Sequence, residues 1–157
     1  MDLRNILRSS KGADEADPEI KAIAEAIAHN LTALGLHVDS RPYGRRFLEI
    51  KASTSPKLIT TPDGIEASGI ALLLAGAYDP PSLVFEQINS LRRGMGRAMV
   101  EAVIAGATTR PDVFRRLRVN DLSPRLPDGR RWWEHVADAH PEFDWVITHE
   151  EPFNGGR

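Results

Sequence analysis

The sequence predicts an α/β domain in which helices and strands build one mixed sheet. Two features carry that prediction. Apolar residues first repeat with a helical period and then switch to strict alternation. Further along, short strand-like runs sit between turn signals and end on a glycine-rich loop that opens another helix.

Residues 1–16 are polar and charged and read as a leader to a single domain over 17–157. Asp17-Pro18 opens the first helix. Asp17 suits the N-cap, Pro18 the first helical position, and Glu19 the positive end of the helix dipole. Ile20, Ile23, Ile27, Leu31 and Leu34 form one apolar stripe, and Gly35 sits where a left-handed C-cap belongs. Alternation then places strands around Leu36–Asp39 and Leu48–Ala52, with Arg41-Pro42-Tyr43-Gly44 as the turn. Lys57–Thr61 and Ile65–Ala75 flank the turn tripeptide Pro62-Asp63-Gly64. Ile70–Ala75 is apolar throughout and reads as a buried central strand.

After Tyr78-Asp79-Pro80-Pro81, a strand over Ser82–Leu91 runs straight into Arg92-Arg93-Gly94-Met95-Gly96. The helix beyond packs through Met95, Met99, Ala102, Val103 and Gly106, with Arg97 and Glu101 four apart on its outer face. Arg116–Asn120 alternates as a strand, Gly129–Ala139 is a helix stopped by Pro141, and Trp145–His149 is the last strand. No internal repeat or linker interrupts the chain, so one domain is expected.

Composition narrows the function classes. Of 157 residues, 41% are hydrophobic and 27% charged, which excludes a mostly disordered chain. Cysteine is absent, so disulfides, thiolate metal sites and cysteine nucleophiles are excluded. No apolar run approaches the roughly 20 residues that span a bilayer, and Met1-Asp2-Leu3-Arg4-Asn5 lacks a signal-peptide core. A cytoplasmic protein without membrane contact is therefore expected. Net charge is −2, but residues 91–131 carry ten Arg against four acids, and residues 132–157 one Arg against six. The basic stretch suits a phosphorylated ligand better than bulk nucleic acid.

The loop after the Ser82–Leu91 strand carries the chemistry. Glycines let backbone approach a ligand closely, and the first amides of the next helix point outward with the positive end of its dipole. That combination holds an anion such as pyrophosphate, with Arg92, Arg93 or Arg97 as counter-charge. A Rossmann fingerprint would need a third glycine where Met99 stands, and a P-loop would need Lys followed by Ser or Thr.

Leu91-Arg92-Arg93-Gly94-Met95-Gly96-Arg97-Ala98-Met99 resembles the pyrophosphate loop of the GNAT family of N-acetyltransferases, Gln/Arg-x-x-Gly-x-Gly/Ala. The order of elements over roughly 18–150 is similar to that family, as are Arg130-Arg131-Trp132-Trp133-Glu134-His135 and the tail Phe143-Asp144-Trp145-Val146-Ile147. Leu91 stands where the motif has Gln or Arg, and Trp133 where the family often has a tyrosine acid. The resemblance implies a mixed, largely antiparallel sheet flanked by helices, acetyl-CoA or a related acyl-CoA as donor, and an amine acceptor. A homodimer would fit the family.

The implied reaction is attack of an amine on a thioester, which needs a base, an oxyanion stabiliser and a proton for the thiolate. Glu86 lies close to where the family often carries the base. The oxyanion contact would be a backbone N–H near Ile88 or Asn89, where the strand splays from its neighbour. The loop residues Arg92, Arg93, Gly94, Met95, Gly96 and Arg97 would bind the donor, with Asn120 matching a family asparagine near the fifth strand. Tyr78 and His135 are the candidate acids, and one of Trp132 and Trp133 would wall the acceptor pocket. No metal is expected, because His135 and His140 are five apart and miss the spacing that puts two ligands on one helical face. The rival reading is a non-catalytic module that uses the Arg-rich segment to bind an acidic partner or nucleic acid.

Overall fold

In the computed structural model, which describes residues 15–56 and 67–150, the first apolar stripe forms α1 (Pro18–Ala33). Ile20, Ile23, Ala24, Ile27 and Leu31 are buried along it, and Gly35 closes it at φ 88°. Leu34, expected in the stripe, is exposed, because the helix has ended and it occupies the cap. Asp17 holds the N-cap position, but its carboxylate faces Arg45 and Arg46 rather than the helix amides. Much of the predicted leader, together with the predicted strand Lys57–Thr61 and its turn, lies outside the described residues.

Six strands follow in spatial order equal to chain order: β1 (His37–Pro42), β2 (Phe47–Ser53), β3 (Gly69–Ala75), β4 (Ser82–Asn89), β5 (Arg116–Asn120) and β6 (Asp144–Thr148). β1 to β4 are antiparallel to their neighbours, whereas β4, β5 and β6 run parallel. The parallel steps are made by α2 (Met95–Ala107) and α3 (Trp132–Ala139). Together these elements make an α+β domain with a mostly antiparallel sheet. Arg41-Pro42, expected in a turn, belongs to β1. An edge strand tolerates the missing N–H of proline, and the turn moves on to Tyr43–Arg46. The third helix begins at Trp132 rather than Gly129, whose φ of 82° places it in the preceding turn.

Register aligns the apolar residues into rows across the sheet. Leu48, Leu74, Leu83, Leu117 and Trp145 form one row, and Ile50, Leu72, Phe85, Val119 and Ile147 the next. α1 and α2 cover these rows, and Trp133 of α3 packs on Phe85 with ring centroids 4.9 Å apart. At the helix crossing, a Cβ on Gly106 would lie 2.5 Å from Ile27 Cγ1, so only glycine permits that approach. The opposite face carries Glu49, Leu73, Val84, Arg118 and Val146, most of them half-exposed. Ile70–Ala75 is central, as its composition predicts, but only one of its faces is fully packed.

Candidate active site

β4 changes character at Glu86. From Ser82 to Phe85 it pairs with β3 on one edge and with β5 on the other. The β5 ladder stops at Phe85↔Val119, and the β3 register shifts at the same point, with Ala71 opposite Gln87 and Leu72 opposite Phe85. Glu86 is the extra residue of a β-bulge, a device that bends a strand and ends pairing. Beyond it β4 continues to Asn89 beside β3 alone. Two parallel strands therefore part at Glu86, opening a wedge with Ile88 and Asn89 along one side. These are the residues to which the family resemblance assigns the oxyanion contact.

The loop closes the wide end of this wedge. Gly94 sits at φ 85°, a left-handed conformation that turns the chain into α2. Ser68 Oγ, on a buried residue, accepts the Leu91 N–H at 2.8 Å. Ser90 Oγ donates to Arg92 O and accepts from Gly96 N–H at 3.2 Å. Met95 N–H donates to Arg92 O, and Ala98 N–H to Gly94 O. Among the described residues the amides of Arg93, Gly94 and Arg97 keep no backbone partner, as expected at a helix start. The loop is thus shaped by two serines that sequence reasoning missed, since neither serine belongs to a recognisable motif.

The charged side chains divide. Arg92 and Arg93 are exposed at the loop. Arg97 instead turns along α2 to Glu101 at 2.7 Å, so its contribution at the loop is its amide. Burial pushes the Glu101 carboxyl up, but hydrogen bonds from His140 and Arg97 outweigh this and hold it below its ordinary value. Met95 is buried under the loop. A Cβ on Gly96 would meet Ser90, Trp132 and Ile88 at 3.6–4.0 Å, so Trp132 stands over the loop while Trp133, 5% exposed, is core.

Glu86 is exposed: alternation from Leu83 and Phe85 puts it, with Val84, on the face turned away from the packed rows. Even so, partial burial pushes its carboxyl above the ordinary value, and the Glu49 carboxylate adds to this against Lys51. The other candidates stand apart. Tyr78 lies beyond the Ser82 end of β4, its ring 5.9 Å from Phe47 and 6.0 Å from the Arg118 guanidinium. His135 pairs with Asp128 at 2.7 Å. Among the described residues neither forms a hydrogen bond or ion pair with Glu86. Asn120 ends β5, donating to Glu150 O and accepting from Thr148 Oγ1, which ties it to the β6 end. Its neighbour Asp121, 1% exposed, has one carboxylate oxygen bound by Ser123 and the other without a partner among the described residues.

No family model, curated protein or solved structure matches this chain. Among the described residues no helix is long and apolar enough to cross a membrane. None of their His, Asp and Glu side chains form a group of three that could hold a metal.

Proposed function

We propose that this chain is an N-acyltransferase that moves an acyl group from acetyl-CoA, or a related acyl-CoA, to an amine. The observation that carries the reading is the coincidence of three features on one strand. β4 bulges at Glu86, parts from β5 there, and leads directly into a left-handed glycine and outward helix amides. Pyrophosphate would lie on the amides of Arg93, Gly94 and Arg97, with the Arg92 and Arg93 side chains supplying charge. The pantetheine arm would enter the wedge, and the acyl oxygen would take a backbone N–H freed by the missing β5 pairing. The amine nitrogen forms the bond to the acyl carbon as the carbon–sulfur bond breaks. Glu86 receives the proton the amine loses, and the departing CoA thiolate takes one from solvent. Partial burial shifts the Glu86 carboxyl upward, the direction that strengthens it as a proton acceptor. A cytoplasmic location fits a user of acyl-CoA.

Ion pairs within the basic stretch weigh against the rival interaction module. Arg116 pairs with Asp144, Arg130 with Glu134 and Asp138, and Arg97 with Glu101. Acids of the C-terminal segment therefore neutralise part of the basic stretch. The deciding experiment is thermal unfolding against CoA concentration. Stabilisation should follow RT ln(1 + [L]/Kd) and disappear in Gly96→Glu, whose carboxylate would occupy the space beside Ile88 and Trp132. A flat response in the wild type, or an unchanged one in the variant, removes the donor site.

A further inference from the structure

At the other end of β4, the half-exposed sheet face holds an open cleft of ≈480 Å³ lined, among the described residues, by Tyr78, Asp79, Val84 and Arg118. Arg116 and Arg118 alternate along β5 two residues apart, yet they differ in company. Arg116 is committed to Asp144 at 2.7 Å. Among the described residues Arg118 has no carboxylate or hydrogen-bond partner, and its guanidinium lies over the Tyr78 ring at 6.0 Å. Phe47 braces that ring edge-on. Asp79 enters the same cleft from the turn, with no ion pair to Arg118. A half-buried guanidinium is thus held by an aromatic ring and a strand, with its planar fork open to a ligand.

We propose that this cleft is the acceptor subsite, and that it takes an amine bearing a carboxylate several bonds from the nitrogen. This rests on the N-acyltransferase reading and adds the substrate class to it. A carboxylate matches the fork of Arg118 in charge and planarity. A more highly charged group such as phosphate would meet repulsion from Asp79. Tyr78 and Val84 offer apolar surface to the connecting chain. Val84 and Glu86 are two residues apart on one strand, about 7 Å at an extended rise. With its carboxylate on Arg118, opposite Val84 in register, an acceptor reaches Glu86 only if several bonds separate its two ends.

The test is calorimetric titration of the full chain, with and without CoA, using 6-aminohexanoate, hexylamine and 6-aminohexyl phosphate. The carboxylate should bind about 10- to 100-fold more tightly than hexylamine, the range of a charge-assisted hydrogen bond. Arg118→Gln should erase that preference without changing the melting temperature, and Asp79→Asn should improve the phosphate relative to the carboxylate. Equal affinities for acid and amine, no binding of either, a preference that survives Arg118→Gln, or a phosphate that already binds best would each overturn the proposal. Acetyl-CoA consumption is measured separately. Turnover of hexylamine and 6-aminohexanoate at equal kcat/KM sinks the acceptor class and leaves the acyltransferase reading standing. Arg118-dependent binding of the acid with no turnover of any amine sinks the acyltransferase reading instead.

Discussion

Between Ser82 and Phe85, β4 is paired on both edges, and Leu83 and Phe85 sit in the packed rows of the sheet. Between Glu86 and Asn89 it keeps one neighbour, and its side chains are exposed or half-exposed. One extra residue separates the two halves. Upstream of the bulge, the backbone groups are consumed by sheet pairing and the side chains by the core. Downstream, some of those groups are released, and the chain continues into the loop that the Ser68 and Ser90 hydroxyls hold in shape. A single strand thus commits one half to the core and leaves the other half with one strand neighbour, the half to which the proposed function assigns the donor.

The largest expected effect lies in the closed half. Phe85→Ala removes a ring in contact with Trp133 and should cost about 3–5 kcal/mol by urea unfolding, as other large-to-small core changes do. A loss below about 1 kcal/mol, the scale of a surface change, would show that the two halves do not differ in packing.

In the open half, Glu86→Gln should instead spare the fold and lower kcat by about 10²- to 10⁴-fold, the usual share of general acid–base catalysis. KM for the acyl-CoA should change little, and high pH should restore part of the rate. Its stability follows the raised pKa. Ionised Glu86 costs the fold a little, and the cost vanishes as pH falls through the folded-state value. Wild type should therefore gain on the Gln variant as the solution is acidified. Equal rates for the two proteins across the pH profile would remove Glu86 from the mechanism.

The loop sharpens the contrast between backbone and space. Gly94→Ala puts a Cβ on a left-handed residue and should destabilise by about 1–2 kcal/mol. Gly96→Ala, two residues on, meets only ordinary contacts inside a helical turn, and should be neutral or stabilise by up to about 1 kcal/mol. Chemical denaturation of the pair checks the sign at each position. Opposite signs at Gly94 and Gly96 are the expected result.

The smallest effect concerns the clamp at the start of α1. Arg46 hydrogen-bonds Asp17 and Glu19 and donates to Gly76 O at 2.7 Å, joining α1 to the β3 end. Those bonds, chiefly from Arg46, hold the Asp17 carboxyl below its ordinary value. Its contribution is present above the ordinary carboxylate range and is lost as pH falls through the lowered value. Asp17→Asn should melt slightly below wild type at pH 7, and the two melting curves should converge in acid. A gap that persists at low pH would assign the effect to something other than the carboxylate charge.

Much of this was legible in the residues. The spacing of Ile20, Ile23, Ile27 and Leu31 needs no partner to declare a helix, and strict alternation over Leu48–Ala52 declares a strand. Gly94 beside Arg92 and Arg93 marks a turn into a helix start that suits an anion, because backbone conformation and dipole act within a few residues. Glu86 and its exposed face could be named from its strand, but the bulge there could not. A bulge is a mismatch between two strands, and nothing in Leu83–Asn89 says where β3 will slip.

Most of the described elements, their order and the glycine turn follow from the residues alone, since periodicity, capping and φ preferences are local properties of the chain. Tertiary structure decided everything that depends on which strand lies beside which. It set the parting of β4 from β5 and the placing of Tyr78 far from the loop. It also left Arg118 beside Asp79 and Tyr78 with no acid paired to it. Those outcomes rest on contacts between residues tens of positions apart, where pairing register and competition for counter-charges act, and no short stretch of chain contains both partners.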